Sequence, residues 1–417
     1  MSFHLRSDKS RPKFEHYVSR LLSLFDEREA KIHGANIAKF ELNVYVLHSL
    51  IECDKGLTSS SLRQLIHTTL FEMKKRGITD ESSFFKLLDS AYLKSQEEKA
   101  SVFNVVSSIN LDVGRLPTTN FTVNGKEIRI VNYLQLERDF GSIAFPDVGI
   151  YDHREISQLR GLSSSVIQVN ARGVEHAYRQ GHETFELFRG VLNLAEQLGT
   201  FAYQYGQPKI LSRIQPSRLT MVFDHEKKLN NYWLAIGLFD HKPESLTRNR
   251  MDFAVELMGR LGSTKDNSLK SRLISTIIRY NDGLDGNVTG TSFISFWQLL
   301  EIIALADYCS PMSEKEVSSR IGVILNDETL RDLLSALRDR RNDLVHDGLI
   351  SEFDLQDVNL IRLCCEQAIL FLLNNIDSFE DEPSLDLFYK LSNKNDTDLA
   401  RELKILEYLK KRRVQKS

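Results

Sequence analysis

The residues with the most unusual chemistry lie in one short segment near the C-terminus, residues 338–348. The residues before it carry an apolar stripe at helical spacing, formed by Leu330, Leu333, Leu334 and Leu337. Continuing the stripe by four residues places Arg341 at a position where the pattern predicts a leucine. A guanidinium cannot lose its charge, and burying it without a partner is costly. Either a carboxylate therefore meets Arg341, or this face lines a cleft that binds an anion.

His346 follows Arg341 by five positions in the same predicted helix. Five helical steps turn about 140° beyond a full circle, so the two residues do not share a face of one straight helix. Asn342 and His346, four apart, do share one. Gly348 is a natural helix stop, and it places His346 in the last turn, where the helix dipole favours imidazolium. A joint site therefore needs an unwound helix end or a second helix alongside.

A histidine that exchanges protons, next to an arginine that stays charged, suits the cleavage of a phosphodiester bond. The base removes a proton from a 2′-hydroxyl, and the guanidinium stabilises the phosphorane. This route needs no metal ion, and no cofactor is predicted. The alternative interpretation is structural: Arg341 pairs with Glu301 in the core, and His346 only caps the helix.

The run Arg341-Asn342-Asp343-Leu344-Val345-His346 resembles the R-x4-H motif, with its frequent Asn after the Arg, of the HEPN superfamily of helical ribonucleases. The similarity extends upstream to Phe293-x-x-Phe296-Trp297-x-x-Leu300-Glu301 and to Arg320-Ile321. This combination is similar to the Apea-like HEPN branch, which is linked to phage defence and abortive infection. The resemblance covers the C-terminal helical region only.

The resemblance implies a metal-independent endoribonuclease with Arg341 and His346 as the catalytic pair. The supporting positions that it implies are Asn342, Glu301 and Asp343. Because two HEPN domains commonly pair so that both motifs line one cleft, it also implies a homodimer through the C-terminal domain. The chain departs from the pattern at Asp347, where many members have Gly, and this adds a negative charge near the RNA path. Some members are inactive, so a non-catalytic binding, dimerisation or sensor module is the alternative.

The elements that must position this segment fall into three regions. Residues 1–100 show helical periodicity throughout, and residues 101–245 indicate an α+β domain with a hairpin at 121–130, where Asn-Gly supplies a type I′ turn. Helices return in residues 246–417, among them 314–325 and 328–346. The predicted fold class is α+β overall and mostly α, with an HEPN helical bundle at the C-terminus. Residues 1–245 would sense a phage-derived or protein trigger, or restrain the activity.

Composition excludes several classes of protein. The 417 residues are 41% hydrophobic and 27% charged, as in a globular protein of two or three domains, and the net charge of -3 gives no overall basic field for nucleic acid. Four cysteines without C-x-x-C spacing and the lack of a signal peptide predict a cytoplasmic protein. No apolar stretch predicts a membrane span. A third hypothesis, a transcriptional regulator, rests on a weak helix-turn-helix pattern at 57–77.

Overall fold

The computed structural model describes residues 3–25, 36–53, 59–97, 100–141, 162–200, 211–234, 244–286, 288–305, 312–325, 327–348, 353–392 and 394–414. The chain forms two compact units, Met1–Ala100 and Ser101–Ser417. The boundary predicted at residue 100 coincides with this division. The boundary predicted at residue 245 falls inside the second unit.

The first unit is a small helical bundle with a two-stranded sheet. Its helices are α1 (Arg11–Ser23), α2 (Asn36–Leu50), α3 (Ser59–Arg76) and α4 (Glu81–Glu97). Two strands, β1 (Phe3–Leu5) and β2 (Ile51–Cys53), pair antiparallel. The expectation of an all-helical region was therefore wrong in this detail, because strands of three residues are too short to leave a periodic signal. Phe14, Leu47, Ile66 and Phe84 are fully buried in the core of the bundle.

The second unit begins with an antiparallel sheet. Its strands are β3 (Ser101–Ile109), β4 (Asn120–Val123), β5 (Lys126–Asn132), β6 (Ser163–Ala171), β7 (Pro216–Phe223) and β8 (Leu229–Leu234). They lie in the order β4-β5-β6-β3-β7-β8, with every pair antiparallel. The hairpin between β4 and β5 has Asn124 at φ 48° and Gly125 at φ 73°, which confirms the type I′ turn.

Two helices accompany the sheet, α5 (Tyr133–Phe140) and the long α6 (Val174–Gln197). α6 packs closely on the sheet: a Cβ added at Gly181 would come within 2.4 Å of the Val105 side chain. Where α6 packs against the helix that contains Ile277, a Cβ added at Gly190 would come within 2.5 Å of the Ile277 carbonyl oxygen. Glycines are therefore required where α6 meets its neighbours, because no larger residue fits without moving backbone.

Eight further helices complete the unit among the residues that the structure describes. They are α7 (Arg248–Ser263), α8 (Ser268–Leu284), α9 (Thr289–Ile303), α10 (Glu314–Leu325), α11 (Glu328–His346), α12 (Leu355–Asn375), α13 (Glu382–Ser392) and α14 (Asp396–Val414). One continuous hydrophobic core joins the sheet, α6 and the helices α7 to α13. The class α+β, mostly α, is confirmed. None of the described helices is long and apolar enough to cross a membrane.

A buried ion-pair cluster ties α6 to α8. The guanidinium of Arg189 is 3% exposed and donates to Asp285 Oδ2 at 2.7 Å and to Glu186 Oε2 at 2.5 Å. The amide of Asn281 also donates to Glu186 Oε2, at 2.9 Å. These bonds satisfy a charge that the core would otherwise leave uncompensated, and they fix the rotation of α6 relative to α8.

Candidate active site on helix α11

The local sequence determines where α11 begins and ends. At its start, the Asp327 side chain accepts a hydrogen bond from the backbone N–H of Leu330 at 2.9 Å, which caps the helix. At its end, the backbone N–H of Asp347 donates to the carbonyl of Asp343 at 3.1 Å, and Gly348 adopts φ +72°. His346 therefore lies in the last helical turn, as predicted. The buried side of the helix is formed by Leu334, Leu337 and Leu344.

Arg341 is held by a carboxylate of the neighbouring helix. Its Nη1 donates to Glu314 Oε1 at 2.9 Å and to Asn342 Oδ1 at 3.1 Å. Glu314 is the first residue of α10, and the two side chains of the pair are 18% and 37% exposed. Of the two possibilities left open by the sequence, a carboxylate does meet Arg341. That carboxylate is Glu314, which sequence reasoning missed, rather than Glu301.

The guanidinium of Arg341 also lies over an aromatic ring of α9. Its Cζ is 5.9 Å from the centroid of the Trp297 ring, a distance at which a cation is attracted to the face of an indole. Glu301 lies one turn further along α9. Burial raises the pKa of Glu301, and the nearby charge of Arg341 opposes this rise, so the two residues are coupled electrostatically. Glu301 is thus part of the surroundings of Arg341.

The Nε–H donor of Arg341 is left unused by the described residues. The Nε–H group is buried and has no hydrogen-bond partner within the described ranges. Glu314 and Asn342 both accept from Nη1, so neither of them bonds to the Nε edge of the guanidinium. A guanidinium with one edge fixed and the other without a hydrogen bond keeps donors for an oxyanion, since its planar N–H groups match two oxygens at once.

His346 lies apart from this group. It is exposed, as is Asp343, and no hydrogen bond or ion pair joins the His346 ring to any residue that the structure describes. Along α11 it is about 7.5 Å beyond Arg341 and rotated by about 140°. The fold therefore brings Arg341, Asn342 and Glu301 into one neighbourhood and leaves His346 and Asp343 on the surface.

The sequence pattern did not identify two neighbours of Arg341, Glu314 and Trp297, as parts of the site. Trp297 lies within the upstream run that resembles the HEPN pattern, but helical periodicity marks it as core and gives no hint of a cation. Glu314 begins a predicted helix, where an acidic residue is common because of the helix dipole. Comparison of the chain with family models, curated proteins and solved structures found no match. The function is therefore inferred from Arg341, the side chains around it, and the motif that Arg341 and His346 form.

Proposed function

We propose that the chain is an endoribonuclease that cleaves RNA without a metal ion, with His346 and Arg341 as its catalytic pair. The observation that carries the proposal is the hydrogen bonding of the Arg341 guanidinium. Glu314 and Asn342 hold its Nη1, while its Nε–H has no partner in the described part of the chain. Five positions further on, an exposed imidazole ends the same helix. One group is prepared to bind an oxyanion, and the other is open to exchange protons.

The reaction follows from these two roles. His346 takes the proton of a ribose 2′-hydroxyl, and the 2′-oxygen attacks the adjacent phosphorus. Arg341 donates to the non-bridging oxygens, whose charge grows as the phosphorane forms. The bond between phosphorus and the 5′-oxygen then breaks, and the leaving oxygen takes up the proton that the His346 imidazolium releases. The products are a 2′,3′-cyclic phosphate and a 5′-hydroxyl.

We propose further that the active species is a homodimer joined through the C-terminal helices. A rotation of about 140° separates Arg341 and His346, so one straight helix cannot offer both to a single phosphate. A second copy with its α11 alongside would supply His346 next to the Arg341 of the first. The site is then shared between protomers.

Incubating the purified protein with a mixed RNA pool, with and without EDTA, tests the activity. We expect cleavage that resists EDTA and is lost in both Arg341→Ala and His346→Ala. The matched control is His225→Ala, which removes an exposed histidine of the same unit, 70% exposed in the turn before β8. Cleavage that survives in His346→Ala would overturn the assignment of the base.

Mixing the two inactive variants tests the shared site. Unfolding and refolding Arg341→Ala together with His346→Ala in equal amounts gives mixed dimers in half of the population. Each mixed dimer contains one site with both functional residues. Recovery of about a quarter of the wild-type activity is expected from this counting. No recovery, with dimers present by light scattering, would show that both residues act within one protomer.

The ion pair with Glu314 favours a second candidate function, a non-catalytic binding, dimerisation or sensor module. In that case Arg341 only ties α11 to α10, and its side chain has no reaction to serve. This candidate predicts no RNA cleavage by the wild type, and a loss of stability in Arg341→Ala. The EDTA experiment and a melting curve separate it from the enzyme.

We also propose a cytoplasmic role in phage defence, abortive infection or as a toxin, with residues 1–245 responding to a phage-derived or protein trigger. The support is the motif and the separate compact unit formed by Met1–Ala100. Expression of the full chain in growing bacteria tests the role. Growth arrest by the wild type, with or without phage, and normal growth with His346→Ala would support it. Equal growth of both strains under phage challenge would contradict it.

A further inference from the structure

A groove with a volume of about 690 Å³ lies on the side of the second unit where α10, α11, α12 and α13 meet. It does not contain Arg341 or His346 in its walls. Its cationic residues are Lys315 on α10 and Arg331 and Arg338 on α11. No carboxylate is among the described residues that line it. A cavity lined by one sign of charge concentrates ligands of the opposite sign.

The cationic side chains of the groove are only partly paired with acceptors of the protein. Arg331 uses its Nε to donate to the carbonyl of Gly322 at 2.8 Å, which fixes the side chain in the wall and leaves its terminal nitrogens outside this bond. Arg338 bonds to Asp339 at 2.6 Å, and that carboxylate is 65% exposed, so water screens the pair. Lys315 is exposed on the first turn of α10. The groove therefore keeps a positive character that an anion can use.

A buried hydroxyl in the wall points independently to a missing partner. Ser318 is 7% exposed, and its Oγ has no hydrogen-bond partner among the residues that the structure describes. Buried polar groups are bonded in almost all cases, so an unbonded hydroxyl in a cavity wall indicates a site for a ligand or an ordered water. A hydroxyl donor beside cationic side chains fits a phosphate group.

The opposite wall is aromatic. Phe371 of α12 and Phe388 of α13 both line the groove, with ring centroids 5.7 Å apart and planes at 26°. An aromatic surface of this kind binds the face of a nucleobase, because stacking does not depend on the identity of the base. The volume also lies in the range of pockets that hold small ligands and cofactors.

We propose that this groove binds a phosphate-bearing ligand of nucleotide size. Its phosphate lies among Lys315, Arg331 and Arg338, and its base lies against Phe371 and Phe388. The nucleotide is either free or part of an RNA strand. Arg331, Ser335 and Arg338 are spaced at i, i+4 and i+7 on α11, and Asn342 continues this face by one turn. An RNA strand bound in the groove would therefore extend toward the end of α11. The binding does not depend on the proposed cleavage.

Ser335 offers the sharpest test, because it lines the groove and is only half-buried on the surface of α11. Ser335→Glu places a carboxylate among the cations, whereas Ser335→Gln adds a side chain of the same size without charge. Both residues form helices well, so both variants are expected to fold. Binding is measured in the full chain carrying His346→Ala, so that no RNA is consumed. Thermal melting verifies that the two variants are equally stable.

Two probes distinguish the sources of the nucleotide: ATP by calorimetry, and a labelled single-stranded oligoribonucleotide by fluorescence anisotropy. We expect Ser335→Glu to bind at least tenfold more weakly than Ser335→Gln for one of them. An effect on ATP identifies a site for free nucleotides, and an effect on the RNA alone identifies a subsite for the strand. Lys315→Glu should act in the same direction, and Lys265→Glu, outside the groove, should have no effect.

Equal affinities of Ser335→Glu and Ser335→Gln for both probes would overturn the proposal, and so would a protein that binds neither ATP nor the oligoribonucleotide. The cleavage assay with His346→Ala reports on the other proposal and is independent of this result. Failure of one can therefore be told from failure of the other.

Discussion

Replacing Arg341 by methionine and Glu314 by glutamine, singly and together, separates a catalytic arginine from one that only joins two helices. Methionine keeps an unbranched side chain next to Trp297 but removes the charge. Glutamine keeps an oxygen that can accept from Nη1 but removes the charge of the partner. The four proteins form a double-mutant cycle in which the unfolding free energy measures the ion pair.

The structure sets the expected size of the stability effect. The Nη1 to Oε1 distance is 2.9 Å, but the two side chains are 18% and 37% exposed. Exposed ion pairs contribute about 0.2 to 1 kcal/mol in such cycles, so this half-buried pair should show a coupling of about 1 kcal/mol. An arginine that stabilises a developing oxyanion contributes more, about 2.7 to 4 kcal/mol, or a loss of about 100-fold to 1,000-fold in rate when it is removed. The two roles therefore differ in magnitude.

Urea unfolding gives the stabilities, and single-turnover cleavage of a labelled oligoribonucleotide gives the rates. Arg341→Met should lose at least about 100-fold in rate while remaining folded. Glu314→Gln should lose less than about 10-fold, because Nη1 keeps an acceptor and Arg341 keeps its place over Trp297. A rate for Arg341→Met within a few-fold of the wild type would refute the catalytic role. A coupling well above about 3 kcal/mol would instead refute the reasoning about exposure.

Three further predictions concern the frame around the site. Gly190→Ala should lower the unfolding free energy by about 1 to 3 kcal/mol, because the added Cβ would lie 2.5 Å from a backbone oxygen. Gly262→Ala is the control and should not lower it, because nothing lies within 4 Å of a Cβ added there. Urea denaturation measures both variants. Asp285→Ala should cost about 2 to 3 kcal/mol in the same assay, somewhat less than a fully unpaired buried charge because Glu186 still neutralises Arg189. Burial raises the pKa of the Cys364 thiol to about 12, so at pH 8 it stays protonated and should react with a disulfide reagent only after unfolding.

Some elements are determined by short-range chemistry and could be predicted from the sequence. The hairpin at Asn124-Gly125 is one, because the two residues that tolerate positive φ stand between alternating strands. The helices Glu314–Leu325 and Glu328–His346 are others, since an aspartate caps the second and Gly348 ends it. In each case the residues that decide the structure lie within a few positions of the element.

Strand β3, at the centre of the sheet, was not predicted from the sequence because both of its buried faces are partly polar. Ser107 and Ser108 are buried, and their hydroxyls bond across the sheet to Thr220 at 3.0 Å and to Ser164 at 3.2 Å. Each hydroxyl is satisfied only by a partner on another strand. The stretch therefore lacks the apolar alternation by which a strand is recognised, although it is buried on both sides.

The partner of Arg341 shows the same limit in the site itself. Periodicity along α11 identifies the arginine as inward-facing, but only the placement of α9 and α10 decides whether Glu301 or Glu314 meets it. The choice of Glu314 has a chemical consequence. Glu314 and Asn342 both accept from Nη1, and Nε–H has no partner among the described residues. A phosphate that binds at this edge does not have to displace the carboxylate. The ion pair is therefore compatible with the proposed catalysis: it holds the guanidinium through Nη1 and leaves Nε–H without a hydrogen bond to the described part of the chain.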